Sequence, residues 1–361
     1  MGWPRSAALI AASLGGGELR MRIKVLCTLG PSSFKPEVIQ ALDERGIDLF
    51  RINLSHTPLA AVEGFIRLVR GHSDTPISLD TEGAQVRCGE VVDSLELTEG
   101  EMVHLTPRPD VGTARRITLR PAPIFHDLEA GARVTIDFDG AVLEVLQATA
   151  EGAEAVVVQP GKIKSNRAVT IEPAPELPPL TEKDVTAIEL GTRLGIRNYA
   201  LSFAGSAGNV ELLRSMVGPD SHLVAKIESR AGVRNMAEII PIADAIIIDR
   251  GDLSREVPLE HVPFYQKVIV RQANRWSRPV FVATNLLESM VTNRKPTVAE
   301  ANDIANTLLD GVHGLVLAAE TAVGRDPIGA VDMVLRSIRA FEGSHVSLLL
   351  EEDRALPIQV P

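Results

Sequence analysis

The sequence predicts an α/β protein, a closed (β/α)8 TIM barrel with a small all-β domain inserted after the third strand. Eight apolar runs recur along the chain, and amphipathic segments lie between them. The runs are apolar throughout instead of alternating, which is typical of buried strands in a parallel sheet. Between the third and fourth runs, short strands separated by turn signals replace this rhythm, which indicates an insertion.

Most of the apolar runs end in polar residues. The runs are IKVLCTLG (23–30), DLFRINLS (48–55), ISLDTEG (77–83), NYALSFA (198–204), HLVAKIE (222–228), AIIIDRG (245–251), PVFVATN (279–285) and GLVLAAET (314–321). Helical spacing of apolar residues marks PEVIQALDERG, PLAAVEGFIRLVRG, GNVELLRSMVG and VAEANDIANTLLDG. Because a (β/α)8 barrel has its active site at the carboxyl ends of its strands, we expect the polar residues to meet there.

The domain boundaries follow from this pattern. We expect the barrel to comprise residues 21–87 and 171–345, and the inserted β-barrel to comprise residues 88–170. An insertion at the catalytic face is typical of a lid that excludes water from the substrate. Residues 1–20 are expected to form a disordered extension, and residues 346–361 a C-terminal tail.

Composition narrows the function. The chain has 47 Asp and Glu against 37 Lys and Arg, which argues against a nucleic-acid partner. It has no apolar run of membrane-spanning length, so no membrane association is expected. Two cysteines, Cys27 and Cys88, suit the reducing cytoplasm and argue against a disulfide framework.

Two strand ends carry charges that need an explanation. HLVAKIE ends in Lys226 and Glu228, and AIIIDRGD ends in Arg250, Gly251 and Asp252. Buried charges are costly unless they are paired or hold an ion, and two carboxylates are typical Mg²⁺ ligands. Glu228 and Asp252 are therefore the candidate metal pair, and Lys226 the candidate group acting on substrate charge or a proton. A structural ion pair between Lys226 and Glu228 is the alternative.

A second group of polar residues offers neutral and charged oxygens. Asn53, Ser55, Asp80 and Thr81 end two successive runs, and this ligand set suits a monovalent cation. Arg51 is predicted to share one strand side with Asn53 and Ser55, because side chains repeat every two residues. Helix capping is the alternative for these residues.

Further candidates stand singly. Gly251-Asp252-Leu253 is predicted to open a short helix whose free N–H groups favour a carboxylate. Thr284 could donate its hydroxyl to the reacting carbon or position a water, with helix capping as the alternative. His56 and Arg167 could contact a nucleotide base and its phosphates, with solvated surface positions as the alternative. Neither a P-loop nor a GxGxxG motif follows a strand, so those modes of nucleotide binding are not expected.

These motifs resemble the pyruvate kinase family. CTLGPSS, FRINLSH, LDTEGAQVRCG, AKIESRAGVRNMAEI, RGDL, ATNLLESM and AAETAVGRDP occur in the family's order across residues 22–340. The resemblance implies a barrel domain with a lid-like domain after strand three. It also implies phosphoryl transfer between phosphoenolpyruvate and ADP, giving pyruvate and ATP, with Mg²⁺ or Mn²⁺ as cofactor. A cytoplasmic location is expected, and a homo-oligomer is left open.

The resemblance also implies residue roles. Lys226 would stabilise the phosphoryl group and the enolate, Arg51 would contact the transferred phosphoryl group, and Thr284 would lie beside the carbon that is protonated. The remaining implied roles are substrate binding by Ser202, Gly251 and Asp252, binding of Mg²⁺ or Mn²⁺ by Glu228 and Asp252, K⁺ binding by Asn53, Ser55, Asp80 and Thr81, and nucleotide binding by Thr28, Arg51, His56, Arg87 and Arg167.

The sequence departs from the family pattern at the substrate end. The family's ARGDLG is DRGDLS here, which places Asp249 beside the expected carboxylate site. An extra acid should weaken binding of a carboxylate unless Asp249 pairs with Arg230 or Arg250. The stretch FAGS (203–206) lacks a basic residue that the family has near the substrate.

Two more departures concern K⁺ and the C-terminal end. Gln85 replaces the family's Glu or Lys at a position that goes with K⁺ dependence, so the K⁺ requirement stays open. Family members usually continue into a C-terminal α/β domain that binds effectors, and this sequence ends soon after the eighth unit. We therefore expect only the barrel domain and the inserted domain.

Three functions are compatible with these observations. The first is a pyruvate kinase-like phosphotransferase. The second is a diverged enzyme that applies the same metal and lysine enolate chemistry to another enol phosphate or a 2-oxo acid, which Asp249 and the FAGS stretch motivate. The third is a non-catalytic regulatory or binding homologue, against which the presence of Lys226, Glu228 and Asp252 argues.

Overall fold

The computed structural model describes residues 22–83, 85–137 and 140–344. The predicted extension (1–20) and tail (346–361) lie outside these residues. The chain divides into two compact units, a barrel unit formed by Met1–Glu82 with Leu180–Pro361, and an inserted unit formed by Gly83–Pro179. The sequence analysis placed the insertion at 88–170.

The barrel unit begins with three strands and two helices. They are β1 (Lys24–Leu29), α1 (Pro36–Asp43), β2 (Leu49–Asn53), α2 (Leu59–Arg70) and β3 (Ile77–Asp80). A 3-10 helix, Leu54–His56, directly follows β2. The prediction that Ser55 shares a strand with Asn53 is therefore wrong. The strand ends at Asn53, whose side chain accepts a hydrogen bond from Ser55 N and begins the helical turn.

The inserted unit is a second closed barrel. Its strands are β4 (Val86–Cys88), β5 (Leu95–Leu97), β6 (Met102–Thr106), β7 (Arg116–Arg120), β8 (Arg133–Ile136), β9 (Val142–Thr149), β10 (Gly152–Gln159), β11 (Gly161–Ile163) and β12 (Ala168–Glu172). Seven of them close in the order β10-β6-β7-β4-β12-β8-β9, and β5 pairs with β11 separately. Only the β6–β7 pair in this closed sheet is parallel. The unit has its own apolar core.

The chain then completes the barrel unit. The elements are α3 (Glu182–Arg193), β13 (Asn198–Leu201), α4 (Ala207–Val217), β14 (His222–Ile227), α5 (Arg230–Arg234), α6 (Met236–Ile242), β15 (Ala245–Asp249), α7 (Arg250–Glu256), α8 (Val262–Arg275), β16 (Val280–Ala283), α9 (Val298–Leu309), β17 (Gly314–Leu317), α10 (Ala319–Ala322) and α11 (Pro327–Glu342). Short 3-10 helices, Leu259–His261 and Glu288–Val291, precede α8 and α9.

The barrel itself is a closed sheet of eight parallel strands. Their order is β1-β17-β16-β15-β14-β13-β3-β2. Every predicted apolar run contains one of these strands, so the fold class is confirmed. Two apolar clusters stabilise the barrel. The larger lies between the strands and the helices, and the smaller lies in the interior that the strands enclose. Because both faces of each strand are covered, the strands need continuous apolar sequence. Among the described residues, no helix is long and apolar enough to cross a membrane.

A single buried carboxylate binds the backbone at both places where the insertion joins the barrel unit. Asp184, in the first turn of α3, accepts hydrogen bonds from Glu82 N at 2.6 Å and Thr181 N at 2.9 Å. Thr181 in turn caps α3 through its side chain, which forms a capping box with Asp184. Strands β3 and β13 pair directly, with Ser78 opposite Asn198. The barrel sheet is therefore continuous across the insertion.

The fold disfavours protonation of a histidine at the start of β14. Burial lowers the pKa of His222 to about 4, and Lys24 and Arg214 act in the same direction, whereas Asp244 partly opposes them. Asp244 is also engaged by Arg214, at 2.6 Å, and by Leu223 N, at 2.8 Å. The neutral imidazole is therefore the form that the fold favours.

This histidine should make the barrel sensitive to acid. The unfolded chain binds a proton at His222 below about pH 6.5, whereas the folded chain does so only near pH 4, so stability falls as pH decreases through this window. The loss is at most about 1.4 kcal/mol per pH unit. Urea midpoints measured at pH 7.5 and 5 should differ less for His222→Asn than for the wild type. The exposed control His261→Asn should keep the wild-type difference between the two midpoints. An equal difference in both variants would show that His222 is not the source of the acid sensitivity.

Candidate active site

The centre of the site is a buried ammonium group at the end of β14. Lys226 is 4% exposed. Its Nζ lies 2.9 Å from Glu228 Oε2, 3.6 Å from Asp249 Oδ2 and 3.3 Å from Ser202 Oγ. Three different strand ends, those of β13, β14 and β15, thus converge on one cation. The predicted ion pair between Lys226 and Glu228 is present, and it forms part of a larger cluster.

Three carboxylates surround one point beside this lysine. Glu228, Asp249 and Asp252 each offer an oxygen within 4.8 Å of the others. Glu228 is fully buried, and its Oε1 accepts a hydrogen bond from Phe203 N at 2.8 Å. Its Oε2 forms an ion pair with Lys226 Nζ at 2.9 Å. The separations of these oxygens fit a divalent cation.

The electrostatics of the cluster favour a protonated lysine. Burial alone would lower the pKa of Lys226, but Glu228 and Asp249 outweigh burial and raise that pKa above its ordinary value. Burial raises the pKa of Glu228, and the nearby Lys226 offsets only part of this effect. Burial would also raise the pKa of Asp249, but Lys226 and Arg51 lower it. A fixed ammonium charge at the strand ends is therefore what this arrangement supplies.

The partners of Asp249 are a lysine and a threonine. Its carboxylate lies next to Lys226 and accepts a hydrogen bond from Thr284 Oγ1 at 3.0 Å, instead of pairing with Arg230 or Arg250. Arg230 donates to the carbonyl of Glu256. The sequence analysis named Arg230 and Arg250 as partners that would relieve the charge of Asp249. Arg250 instead binds the carbonyls of Thr284 and Asn285.

The short helix α7 begins as predicted, at the Arg-Gly-Asp sequence. Asp249 is its N-cap and accepts a hydrogen bond from Asp252 N at 3.5 Å. Gly251 N donates to Thr284 Oγ1 at 2.7 Å. A Cβ at position 251 would lie 3.3 Å from Thr284 Oγ1, so glycine keeps this contact uncrowded. The two N–H groups predicted to receive a substrate carboxylate thus have side-chain acceptors in this structure.

Thr284 has a strained backbone that a buried arginine holds. Its φ is 66°, and Asn285 follows with φ of 52°, a left-handed region that is costly for a β-branched residue. Arg250 donates to Thr284 O at 2.8 Å and Asn285 O at 2.9 Å, and to Asp303 Oδ1 on α9 at 2.9 Å. This bracing directs the Thr284 hydroxyl toward Asp249 and Gly251 instead of toward a helix of its own.

Arg51 forms the second buried ion pair. Its guanidinium donates to Asp80 Oδ2 through both Nε, at 2.7 Å, and Nη2, and to Thr28 Oγ1 at 3.1 Å through Nη1. Asp80 Oδ1 accepts from Ser78 at 3.0 Å. The cluster lies on adjacent strands, because Arg51 is paired in register with Thr28 on one side and Ser78 on the other.

The predicted monovalent-cation residues are brought together at neighbouring strand ends. Asn53 and Asp80 are register partners on β2 and β3. Thr81, which follows Asp80, accepts from Ser202 at both its backbone oxygen, at 2.6 Å, and its side chain, at 2.9 Å. Ser202 therefore connects the predicted cation residues with Lys226, a link that runs through β13. For Asn53 the capping alternative also holds, since it caps the turn containing Ser55.

The predicted nucleotide residues are divided between the two units. In the barrel unit, Thr28 is buried against Arg51 and His56 is exposed at the end of a 3-10 helix. In the inserted unit, Arg87 donates to Asn166 O at 3.0 Å, and Arg167 lies 3.3 Å from Asp137. Both arginines are at the β4 and β12 edge of that barrel.

Comparisons with known proteins show the family to which the chain belongs. The family model "Pyruvate kinase, barrel domain" matches residues 20–331. The chain belongs to the pyruvate kinase family. It is 36% identical over 334 residues to the pyruvate kinase of Mycobacterium tuberculosis. This alignment covers 89% of this chain and 70% of that protein.

Two further members of the pyruvate kinase family show the same extent of similarity. The pyruvate kinase of Thermotoga maritima is 33% identical over 329 residues, covering 88% of this chain and 71% of that protein. The pyruvate kinase of Geobacillus stearothermophilus is 34% identical over 342 residues, covering 90% of this chain and 58% of that protein. The similarity therefore includes both units described here.

Some contacts of the site were missed by the sequence analysis. Asp303 and the backbone N–H of Phe203 had no assigned role, although they hold Arg250 and Glu228. Asp303 lies in VAEANDIANTLLDG, which the sequence analysis recognised by the helical spacing of its apolar residues, and this spacing assigns no role to an acid. Phe203 contributes a main-chain group, which the identity of its side chain does not reveal.

The bracing of Thr284 predicts a difference between two aspartates. Asp303→Asn removes a charged partner from Arg250, whose side chain is 9% exposed, and should lower the free energy of unfolding by about 1–3 kcal/mol. The control Asp332→Asn breaks the more exposed pair with Arg45 and should cost less than about 1 kcal/mol. Urea unfolding of both variants measures the difference, and equal losses would contradict the bracing role.

Proposed function

We propose that this chain is a phosphotransferase that converts phosphoenolpyruvate and ADP to pyruvate and ATP, with Mg²⁺ or Mn²⁺ as cofactor. The observation that carries the proposal is the buried Lys226 ammonium, which lies within 2.9 Å of Glu228 and beside the carboxylate cluster. A protonated lysine at this position can neutralise charge that develops on a phosphoryl group and an enol oxygen. Membership of the pyruvate kinase family supports the same reaction.

Phosphoryl transfer would proceed with the charges already in place. The bond between phosphorus and the enol oxygen breaks, its electron pair stays on that oxygen, and a terminal oxygen of ADP forms the new bond to phosphorus. Lys226 is the group suited to stabilise the enolate. Arg51, whose orientation is fixed by Asp80 and Thr28, is suited to contact the transferred group. Preorganised charges of this kind reduce the reorganisation that the transition state requires.

Protonation of the enolate carbon completes the reaction. The carbon accepts one proton from solvent, and the product becomes pyruvate. Thr284 is the candidate to position this proton, because its Oγ1 is held 3.0 Å from Asp249 and 2.7 Å from Gly251 N. A hydroxyl can both donate and accept, so it suits a relay.

The metal and cation assignments are part of the proposal. Glu228 and Asp252 would hold Mg²⁺ or Mn²⁺, and the grouping of their oxygens within 4.8 Å of one another supports this choice. When bound, the divalent ion supplies positive charge that neutralises the phosphate oxygens. Asn53, Ser55, Asp80 and Thr81 would hold K⁺, and Thr28, His56, Arg87 and Arg167, with Arg51, would contact the nucleotide.

One observation favours a second candidate reaction. Asp249 adds a negative charge within the cluster, and the N–H groups of Gly251 and Asp252 already have acceptors. Both features oppose binding of a substrate carboxylate. The alternative is therefore another enol phosphate, or a 2-oxo acid whose carboxylate binds away from the start of α7, handled by the same lysine and metal.

The primary test is a direct assay. Purified protein with phosphoenolpyruvate, ADP and Mg²⁺ should form pyruvate, measured with K⁺ and with Na⁺ in its place, and chelation of the metal should abolish turnover. Lys226→Met should reduce kcat by about 10²–10³-fold, since it removes one preorganised positive charge. Lys295→Met, at an exposed position, is the matched control and should behave like the wild type.

The alternatives give different results in this assay. Absent pyruvate formation together with Mg²⁺-dependent binding of 2-oxo acids would favour the second reaction. Absent binding of metal, nucleotide and acid would leave a non-catalytic homologue. Equal loss in Lys226→Met and Lys295→Met would contradict the role given to Lys226.

The hydroxyl of Thr284 predicts a contrast between two small substitutions. Thr284→Ser retains the hydroxyl and should keep most of the activity. Thr284→Val retains the branched shape but removes the group that contacts Asp249 and Gly251 N, so kcat should fall by about 10²-fold. Steady-state kinetics compares the two, with circular dichroism to verify folding. Equal activity of the two variants would exclude a role for the hydroxyl in proton positioning.

A further inference from the structure

The dipeptide Glu320-Thr321 in α10 belongs to the motif AAETAVGRDP, to which the proposed reaction assigns no role. Both side chains are buried, with 1% of Glu320 and none of Thr321 exposed. A buried carboxylate is costly unless hydrogen bonds satisfy it. The groups that satisfy Glu320 therefore indicate what this side chain does in the barrel.

Both oxygens of Glu320 bind main-chain N–H groups. Oε1 accepts from Leu287 N at 3.0 Å, and Oε2 accepts from Ala318 N at 2.9 Å. Ala318 directly follows β17, and Leu287 lies in the segment that joins β16 to α9. Strands β16 and β17 are neighbours in the barrel. One carboxylate thus connects the backbone at the carboxyl ends of two adjacent strands.

The segment that Glu320 binds begins with the strained Thr284. Thr284 and Asn285 have φ of 66° and 52°, and Arg250 binds both of their carbonyl oxygens. Leu287, whose N–H donates to Glu320, follows Asn285 by two residues. Left-handed residues other than glycine persist only where their surroundings over-determine them. Two charged side chains from different helices therefore fix this turn, Arg250 of α7 at its start and Glu320 of α10 at its end.

The neighbouring Thr321 makes its main contact with a different strand. Its Oγ1 donates to Thr28 O, in β1, at 2.8 Å. The Thr28 hydroxyl in turn accepts from Arg51 Nη1 at 3.1 Å. The two adjacent residues of α10 thus bind the backbone beside two different groups, the Thr284 hydroxyl and the Arg51 guanidinium.

We propose that Glu320 is a positioning residue for the proton step, because its bond to Leu287 N keeps the Thr284 hydroxyl in place. The inference rests on the proposed function for the role of Thr284, and it adds a residue that acts through that threonine without touching the substrate. A displacement of about 1 Å caused by a change far from the chemistry can lower a rate by about 10²-fold. Loss of this contact should therefore lower kcat.

The first test follows the backbone without any substrate. Hydrogen–deuterium exchange is measured by mass spectrometry in the wild type, in Glu320→Ala, which removes both acceptors, and in Glu320→Gln, which keeps one acceptor oxygen. Exchange in residues 284–291 should become about tenfold faster in Glu320→Ala, with Glu320→Gln between it and the wild type. If Glu320→Ala does not fold, Glu320→Gln carries the same comparison. The matched control Thr321→Val loses the bond to Thr28 and should leave exchange in residues 284–291 unchanged.

The second test is kinetic and separates positioning from a general structural role. Glu320→Gln should lower kcat for pyruvate formation by about tenfold, with the KM for phosphoenolpyruvate nearly unchanged, since the lost interaction acts on the chemical step. In a Thr284→Val background the same substitution should cause no further loss, because the group on which Glu320 acts is absent. A structural role alone would give equal losses in both backgrounds.

The two tests have distinct outcomes. Faster exchange in residues 284–291, with a loss of kcat that disappears in Thr284→Val, supports the inference. Wild-type exchange in residues 284–291 of both Glu320 variants, equally fast exchange in Thr321→Val, or a full loss of kcat in the Thr284→Val background would each overturn it. A wild type that forms no pyruvate would reject the proposed reaction, whereas the exchange measurements would still decide whether Glu320 fixes the backbone at Thr284.

Discussion

The burial of one ammonium group organises the carboxyl end of this barrel. Lys226 cannot remain charged at 4% exposure without acids beside it, and Glu228 and Asp249 are the groups that meet this need. Their own burial is tolerable only because the lysine is there, so neither side of the cluster is stable without the other. Since the residues come from β14 and β15, the pairing of these two strands in register is a condition for the site.

A second set of interactions, made by Arg250, fixes the backbone at Thr284. Arg250 points away from the cluster and binds the carbonyls of Thr284 and Asn285, while Asp303 on α9 balances its charge. These bonds offset the cost of a left-handed threonine, and they convert an unfavourable backbone conformation into a fixed hydroxyl position. The position of the Thr284 hydroxyl therefore depends on α9, a helix that contributes no group to the proposed reaction. Ser202 has a similar role between Thr81 and Lys226.

The sequence was informative where a regular period or a motif carried the signal. Continuous apolar runs gave all eight barrel strands, because a strand covered on both faces needs apolar residues throughout. It was less informative about contacts across strands. The neighbours of Asp249 depend on which side chain of β14 faces β15 and on the capping of α7, neither of which has a periodic signature. Ser55 was placed on the wrong element, because the run that contains it continues past the last strand residue, Asn53.

The Asp184 carboxylate has a consequence for how such chains can be rebuilt. It ties the departing Glu82 and the returning Thr181 to the same anchor, while β3 and β13 remain hydrogen-bonded neighbours. The residues that form this junction all belong to the barrel unit and not to the insertion. An insertion of a different length at this junction should therefore leave the pairing of β3 with β13 intact.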